Sequence, residues 1–171
     1  MRSVLVVLLL LFFQMAPHLA KAGEEAIQST YDEDLLKQGI RFTPPSGSRK
    51  VKAQSNGIDG VFFILDNKFL VLILSPVEMP AEDFDLTVSE QEFRKDKKFE
   101  FVSEEKTSFL DVPCYIVYRR QQEDEAPWIH KSYHFYKNGK AYLLDFNAME
   151  SGFNNYASEF ENILNNFSIT E

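Results

Sequence analysis

Apolar residues fall into short runs separated by Gly, Pro, Asn and Asp, a pattern that indicates a chain rich in β-strands. The runs predict strands at residues 40–43, 58–65, 68–77, 99–107, 113–119, 128–137 and 140–148, with a short edge strand at 167–170. Asp66-Asn67 is predicted to be a two-residue turn. Residues 69–74, Phe-Leu-Val-Leu-Ile-Leu, are apolar throughout, and such a strand is typically central and covered on both faces. We therefore expect layers above and below the sheet.

Helical spacing of apolar residues predicts three helices around these strands. Apolar residues four apart share one face of a helix over residues 23–39, which Gly39 would end. The mostly polar stretch 81–98 is predicted as a second helix, and residues 152–166 as a third. The third has the clearest pattern, carried by Phe153, Tyr156, Phe160, Ile163 and Leu164, with Phe167 just beyond.

Asn138-Gly139, between the two last long strands, is the strongest hairpin signal in the sequence. As a two-residue turn it pairs Phe135 with Tyr142 and Ser132 with Asp145. Alternation then places one apolar set on the core face: Tyr133, Phe135, Tyr142, Leu144 and Phe146. The opposite face carries His130, Ser132, His134, Tyr136, Ala141, Leu143, Asp145 and Asn147.

The first 22 residues have the three parts of a secretory signal peptide. Arg2 supplies a positive charge, ten apolar residues follow from Val4 to Phe13, and the small residues Ala20 and Ala22 predict cleavage after Ala22. A membrane anchor is the alternative, but a spanning helix needs about 20 apolar residues. No Cys lies near the cleavage site, which disfavours a lipoprotein anchor. The sequence therefore predicts a secreted or periplasmic protein with no integral membrane span once the leader is removed.

The remaining chain is predicted to be a lead-in at residues 23–39 and one α/β domain at 40–171. Loss of Arg2 and Lys21 with the leader changes the net charge from −8 to −10. Such an acidic chain argues against binding nucleic acid, which requires clustered positive charge. The lone Cys114 excludes an intrachain disulfide or a multi-Cys metal site. Because an apolar run follows it, we expect a buried thiol.

The candidate functional residues of the sequence are two His residues and one carboxylate on the polar face of the hairpin. Ser132 is predicted opposite Asp145, with His130 and His134 diagonal to it. The plainest interpretation is a polar, partly solvated sheet face or a cross-strand His–Asp hydrogen bond. His130, His134 and Asp145 are also ligand types that bind a divalent metal. A third interpretation is a catalytic Ser-His-Asp relay, although the chain has no G-x-S-x-G turn.

Three surface features have both a functional and a structural interpretation. Trp128, with Tyr118 and the acidic residues 123–125, is a candidate partner surface, since aromatic residues dominate binding hot spots; Trp128 is otherwise half-buried core. The run 94–98 is a partner site or, more simply, a solvated cationic helix end. Asn166-Phe167-Ser168 fits the N-glycosylation sequon.

The C-terminal half resembles a known family, and the resemblance covers about residues 38–171. It rests on the segments 104–107 and 110–115, on the hairpin 133–146 and on the Phe- and Tyr-rich residues 153–167. These resemble the PsbP-like superfamily, which includes the extrinsic P subunit of photosystem II, a Ran-binding nuclear import factor of yeast, and exported bacterial proteins of unknown role. The resemblance implies an α+β fold, an α-β-α sandwich around a mainly antiparallel sheet of six to seven strands.

The resemblance also implies a function class, because the family acts mostly in binding and assembly. We expect an exported, non-enzymatic domain that binds an unidentified protein partner, or assists its assembly, in the envelope or outside the cell. No cofactor and no catalytic residue is predicted. The alternative function is binding of a small ligand or a divalent metal at His130, His134 and Asp145.

Overall fold

The computed structural model describes residues 31–55, 58–66, 68–88, 99–122 and 126–170. The predicted leader with Ala20 and Ala22, the lysine-rich run 94–98 and the acidic residues 123–125 lie outside the described residues.

One antiparallel sheet of eight strands forms the middle of the domain. Its strands are β2 (Arg49–Ser55), β3 (Ile58–Leu65), β4 (Phe69–Leu74), β5 (Val77–Glu78), β6 (Phe99–Phe109), β7 (Val112–Gln121), β8 (Trp128–Lys137) and β9 (Lys140–Met149). The spatial order is β2-β3-β4-β9-β8-β7-β6, and the short β5 pairs with β9. The sheet therefore has eight strands, seven long and one short, whereas six to seven strands were expected. The addition includes Arg49–Ser55, which the sequence pattern did not identify.

Helices cover the two faces of this sheet. They are α1 (Glu33–Lys37), α2 (Ala81–Val88) and α3 (Ala157–Asn166), and a 3-10 helix at Glu150–Tyr156 leads into α3. The ends of the domain meet in a small second sheet, in which β1 (Ile40–Arg41) pairs with β10 (Ser168–Ile169).

Strand β4 is buried on both faces, as the sequence predicted. Phe69 lies against α3 and the 3-10 helix, with its ring centroid 5.2 Å from that of Phe160 and 4.8 Å from that of Tyr156. Phe69 lies on the first face of the sheet, which carries the main core cluster. Leu70 and Leu72 belong to a second apolar cluster on the opposite, second face. Phe84 of α2 also packs on that second face, beside the Tyr136 ring. The predicted α-β-α sandwich with an α+β fold is therefore present.

The β8–β9 hairpin has the predicted register. Phe135 pairs with Tyr142 and Ser132 with Asp145 around the Asn138-Gly139 turn. Both turn residues have positive φ angles, 53° and 78°, which is the conformation that makes Asn-Gly the preferred pair in a type I′ turn. All five apolar side chains assigned to the core face are buried.

Other predicted boundaries need correction. Leu65 pairs with Phe69, so three residues, not two, connect β3 to β4. Within the described residues α1 starts at Glu33, because the Asp32 carboxylate caps the helix by accepting hydrogen bonds from the backbone N–H groups of Asp34 and Leu35. Helix α2 is described only as far as Val88, and residues 89–98 of the predicted helix 81–98 lie outside the described residues.

No helix within the described ranges has the length and apolar character required to cross a bilayer.

We expect Gly39→Ala to destabilise the domain by about 2–3 kcal/mol, since a non-Gly residue at positive φ costs about 1–2 kcal/mol and a steric term adds to it. Gly39 has φ 79°, and an added Cβ would lie 3.1 Å from the carbonyl oxygen of Thr170. The Thr170 N–H also donates to the Gly39 carbonyl oxygen, so the clash falls where β1 and β10 meet. Urea unfolding measures the loss.

Gly47→Ala is the matched control for this substitution. Gly47 has nearly the same φ, 77°, but an added Cβ would meet nothing within 4 Å. We expect a smaller loss, about 1 kcal/mol, from the backbone conformation alone. Equal losses in the two variants would show that the contact with Thr170 contributes nothing.

Candidate functional site

Three neighbouring strands place a group of polar side chains on the second face of the sheet. In the register of β7, β8 and β9, Arg119 pairs with His130, and Ser132 pairs with Asp145. Because alternate residues of a strand share a face, His130, Ser132 and His134 form one row on β8. The row lies between Arg119 on one side and Asp145 on the other.

These side chains form a continuous hydrogen-bonded network. The Ser132 hydroxyl donates to one carboxylate oxygen of Asp145 and accepts from the Arg119 guanidinium at 3.2 Å. The other carboxylate oxygen of Asp145 lies 3.5 Å from Nδ1 of His130. Nε2 of His130 lies 3.1 Å from the amide oxygen of Gln121. Both ring nitrogens of His130 thus face oxygen atoms of neighbouring side chains.

The network is buried, and this corrects the expectation of a partly solvated face. Arg119, Ser132 and Asp145 are 0% exposed, and the two His residues are nearly so. Phe99 of β6 covers part of it, with its ring centroid 4.8 Å from the Arg119 guanidinium carbon and 5.2 Å from the His130 ring in an edge-on contact. The interpretation as a cross-strand His–Asp hydrogen bond describes one part of what is present.

The Asp145 carboxyl is ionised although it is fully buried. Burial by itself raises the pKa of a carboxyl group. The hydrogen bond and positive charge of His130 oppose this effect, together with the charge of Arg119 and the hydrogen bond from Ser132, and the net result is a pKa of Asp145 below its usual value. One buried carboxylate therefore contacts both Ser132 and His130 and lies in the field of the Arg119 guanidinium.

His134 has the opposite character. Burial and the nearby positive charge of Arg119 lower the pKa of His134 to about 3, although Asp145 acts in the other direction. His134 is consequently a neutral side chain at physiological pH.

The predicted metal set of His130, His134 and Asp145 does not form a ligand cluster. Within the described ranges, no three or more His, Cys, Asp and Glu side chains are placed so that they could hold a metal ion. The Arg119 guanidinium already supplies a positive charge near the carboxylate, and a further cation would be repelled there.

The Ser-His-Asp relay is also not formed. In a relay the hydroxyl hydrogen-bonds to a His, which in turn hydrogen-bonds to the carboxylate. Here Ser132 donates directly to Asp145 and has no exposed surface from which it could attack a substrate.

The predicted partner surface of Trp128 and Tyr118 is not one surface. Trp128 packs against the second-face apolar cluster, whereas Tyr118 packs against the core on the first face. The two side chains therefore lie on opposite sides of the sheet. Both are partly buried, which agrees with the structural interpretation of Trp128 as half-buried core.

Two other residues named in the sequence analysis, Cys114 and Asn166, take no part in this network. Cys114 is buried, as expected, and desolvation raises the pKa of its thiol to about 12, so it is not a thiolate. Asn166 is exposed at the last residue of α3, where its side-chain amide donates to the backbone carbonyl of Asn162.

Sequence reasoning missed Arg119 and Phe99, which complete the network. Alternation along β7 was enough to place Arg119 on the face opposite the core residues Cys114 and Ile116. The missing step was the β7–β8 pairing, because the connection between these strands includes the acidic residues 123–125 and carries no hairpin signal of the Asn-Gly kind.

The comparisons with known proteins identify the fold. A scan against models of protein families finds no match, and neither does a search of the curated proteins. The chain is similar to the solution structure of cyanobacterial PsbP (CyanoP) from Synechocystis, with 20% identity, a TM-score of 0.56, and coverage of 89% of this chain and 99% of that one. A crystal structure from Bacteroides thetaiotaomicron has 13% identity and a TM-score of 0.50, covering 78% of this chain and 46% of that one. The fold is therefore PsbP-like.

We expect Asp145→Asn to destabilise the domain by about 3–5 kcal/mol, the cost typical of removing one partner from a buried ion pair. The substitution keeps the shape of the side chain but removes the buried negative charge that faces Ser132 and His130. Urea unfolding followed by circular dichroism measures the change. Glu105→Gln is the control, since Glu105 is exposed and its loss of charge should change stability by about 0.5 kcal/mol or less. A loss for Asp145→Asn as small as that of the control contradicts a charge-balancing role.

We expect the free energy of unfolding to fall as the pH is lowered from about 6.5 towards 4.5, in part because of His134. The unfolded chain binds a proton at this side chain below its ordinary pKa of 6.5, whereas the folded chain does so only near 3. One such proton contributes a slope of about 1.4 kcal/mol per pH unit. His134→Gln should remove this slope, and Ser132→Ala should lower stability while leaving the slope in place. Identical pH slopes in the wild-type protein and His134→Gln would overturn this assignment.

Proposed function

We propose that the protein is an exported, non-enzymatic domain that acts by binding a protein partner. The observation that carries the proposal is that the side chains capable of catalysis are buried and bonded within the fold. Ser132, Asp145 and His130 bond to one another inside the sheet, and Cys114 is a buried thiol with a raised pKa. These groups serve the stability of the fold, so activity is assigned to the surface.

The N-terminal sequence supports the exported location. A positive charge at Arg2, the apolar run Val4–Phe13 and the small residues Ala20 and Ala22 together match a signal peptide. Removal of this segment would release a more acidic chain into the compartment where the partner is found.

The outer edge of β6 is the surface best suited to a protein partner. Among the described strands β6 is the last of its sheet, paired on one side only, and it is 11 residues long. Its register with β7 shifts between Phe101 and Ser103, which leaves Val102 outside the pairing and 53% exposed. An extended segment of a partner can add to such an edge by backbone hydrogen bonds, with an exposed apolar residue as an anchor.

The test is recovery of the partner from the exported fraction of the native host. The full chain carries a C-terminal tag, and complexes are crosslinked before purification. We expect a chain that begins at Gly23 and a partner retained in a fixed ratio. An exported chain that is recovered only as a free monomer after crosslinking argues against the proposal.

A pair of substitutions tests the edge itself. Val102→Glu places a charge on the exposed anchor and should reduce retention about tenfold, which corresponds to a loss of about 1.4 kcal/mol. Leu36→Glu is the control, because Leu36 is a 42% exposed apolar residue on α1, the helix tied to the opposite edge strand β2 by the Asp34–Lys50 ion pair. Equal retention of the two variants would place the partner contact elsewhere on the surface.

A further inference from the structure

Lys131 of β8 lies between two tyrosines on the first face of the sheet. It pairs directly with Tyr118 of β7, and Tyr133 is two residues further along its own strand, so the three side chains project from the same face. The Lys131 ammonium nitrogen is 5.4 Å from the centre of the Tyr118 ring and 5.3 Å from that of Tyr133.

The surroundings of Lys131 are largely apolar. Its partner on β9 is the fully buried Phe146, whose ring contacts that of Tyr133 edge-on at 5.7 Å. Tyr133 is itself buried, whereas Lys131 and Tyr118 are half-buried and reach the surface. The positive charge is thus held at the border of the aromatic core, where water screens it less than on an open surface.

Lys131 differs from other cations of the fold in its partners. Lys50 is neutralised by Asp32 and Asp34 at 2.6 Å, and Arg120 by Glu150 at 2.7 Å. Among the residues that the structure describes, no carboxylate forms an ion pair with Lys131.

The ammonium group nevertheless remains charged at neutral pH. Partial burial lowers the pKa of Lys131, but its interactions with Tyr133 and Tyr118 outweigh this effect, and the pKa is above its ordinary value. A cation and two phenol hydroxyls, all able to donate hydrogen bonds, therefore lie together without an anion.

We propose that Lys131, Tyr118 and Tyr133 form a binding site for an oxyanion, a carboxylate or phosphate group. Lys131 supplies the charge, the tyrosine hydroxyls donate hydrogen bonds to the anion oxygens, and the half-buried ring of Tyr118 packs against whatever carries the anionic group. Tyr118 pairs with Ser103 of β6, next to Val102, so the site borders the β6 edge. The anion titration contains no protein partner and therefore tests the site independently of the partner proposed above.

Titration of the exported chain with inorganic phosphate, and separately with acetate, tests the site by nitrogen-15 chemical shifts at constant ionic strength. We expect saturable shifts of the amides around Lys131 and Tyr118 with at least one of these anions. Lys131→Met should weaken binding by about tenfold or more, because it removes both the positive charge and a charge-assisted hydrogen bond to the anion. Tyr118→Phe, which keeps the ring and removes the hydroxyl, should weaken it several-fold.

Lys106→Met is the matched control. Lys106 also lies over a tyrosine ring, that of Tyr115 at 5.2 Å, but it is an exposed residue. Its substitution should leave the affinity for the anion unchanged. The site is overturned if neither anion gives saturable shifts, if folded Lys131→Met binds as tightly as the wild-type protein, or if Lys106→Met loses as much affinity as Lys131→Met.

Discussion

The pairing of β4 with β9 is the contact on which the rest of the domain depends. It joins the β2-β3-β4 ribbon to the β6–β9 ribbon and so places β9 in the middle of the sheet. Asp145 pairs with Leu72 at this junction and is removed from water. A buried carboxylate must be neutralised and hydrogen-bonded. Ser132, His130 and Arg119 meet that requirement, and they link β9 through β8 to β7 across the second face.

This requirement explains why groups that resemble a reactive site in the sequence bond to one another inside the fold. The same Ser, His and Asp types can form a relay or a metal site when they lie at a surface. Here the hydroxyl bonds to the carboxylate directly, and an arginine occupies the neighbouring position. The surfaces that we propose for recognition are the edge of β6 and the cation between two tyrosines on the first face of the sheet.

Local sequence signals predicted the parts of the fold that depend on neighbours in the chain. Asn138-Gly139 correctly gave the β8–β9 register, and therefore the Ser132–Asp145 pair, because a two-residue turn fixes which residues face each other. The apolar run in β4 correctly indicated cover on both sides. The predicted turn at Asp66-Asn67 was wrong by one residue, since the hydrophobic pattern gives the presence of a hairpin more securely than the length of its loop.

The sequence by itself determined a β-rich domain with helical cover, the hairpin register and the membership of most of the polar face. It did not determine whether that face is exposed to solvent or buried, because burial depends on Phe99 and on strands far apart in the chain. Nor did it determine that Arg119 joins the face, or that Trp128 and Tyr118 lie on opposite sides. Alternation within a strand is a local property, whereas solvent exclusion and charge pairing arise only when the tertiary structure brings distant strands together.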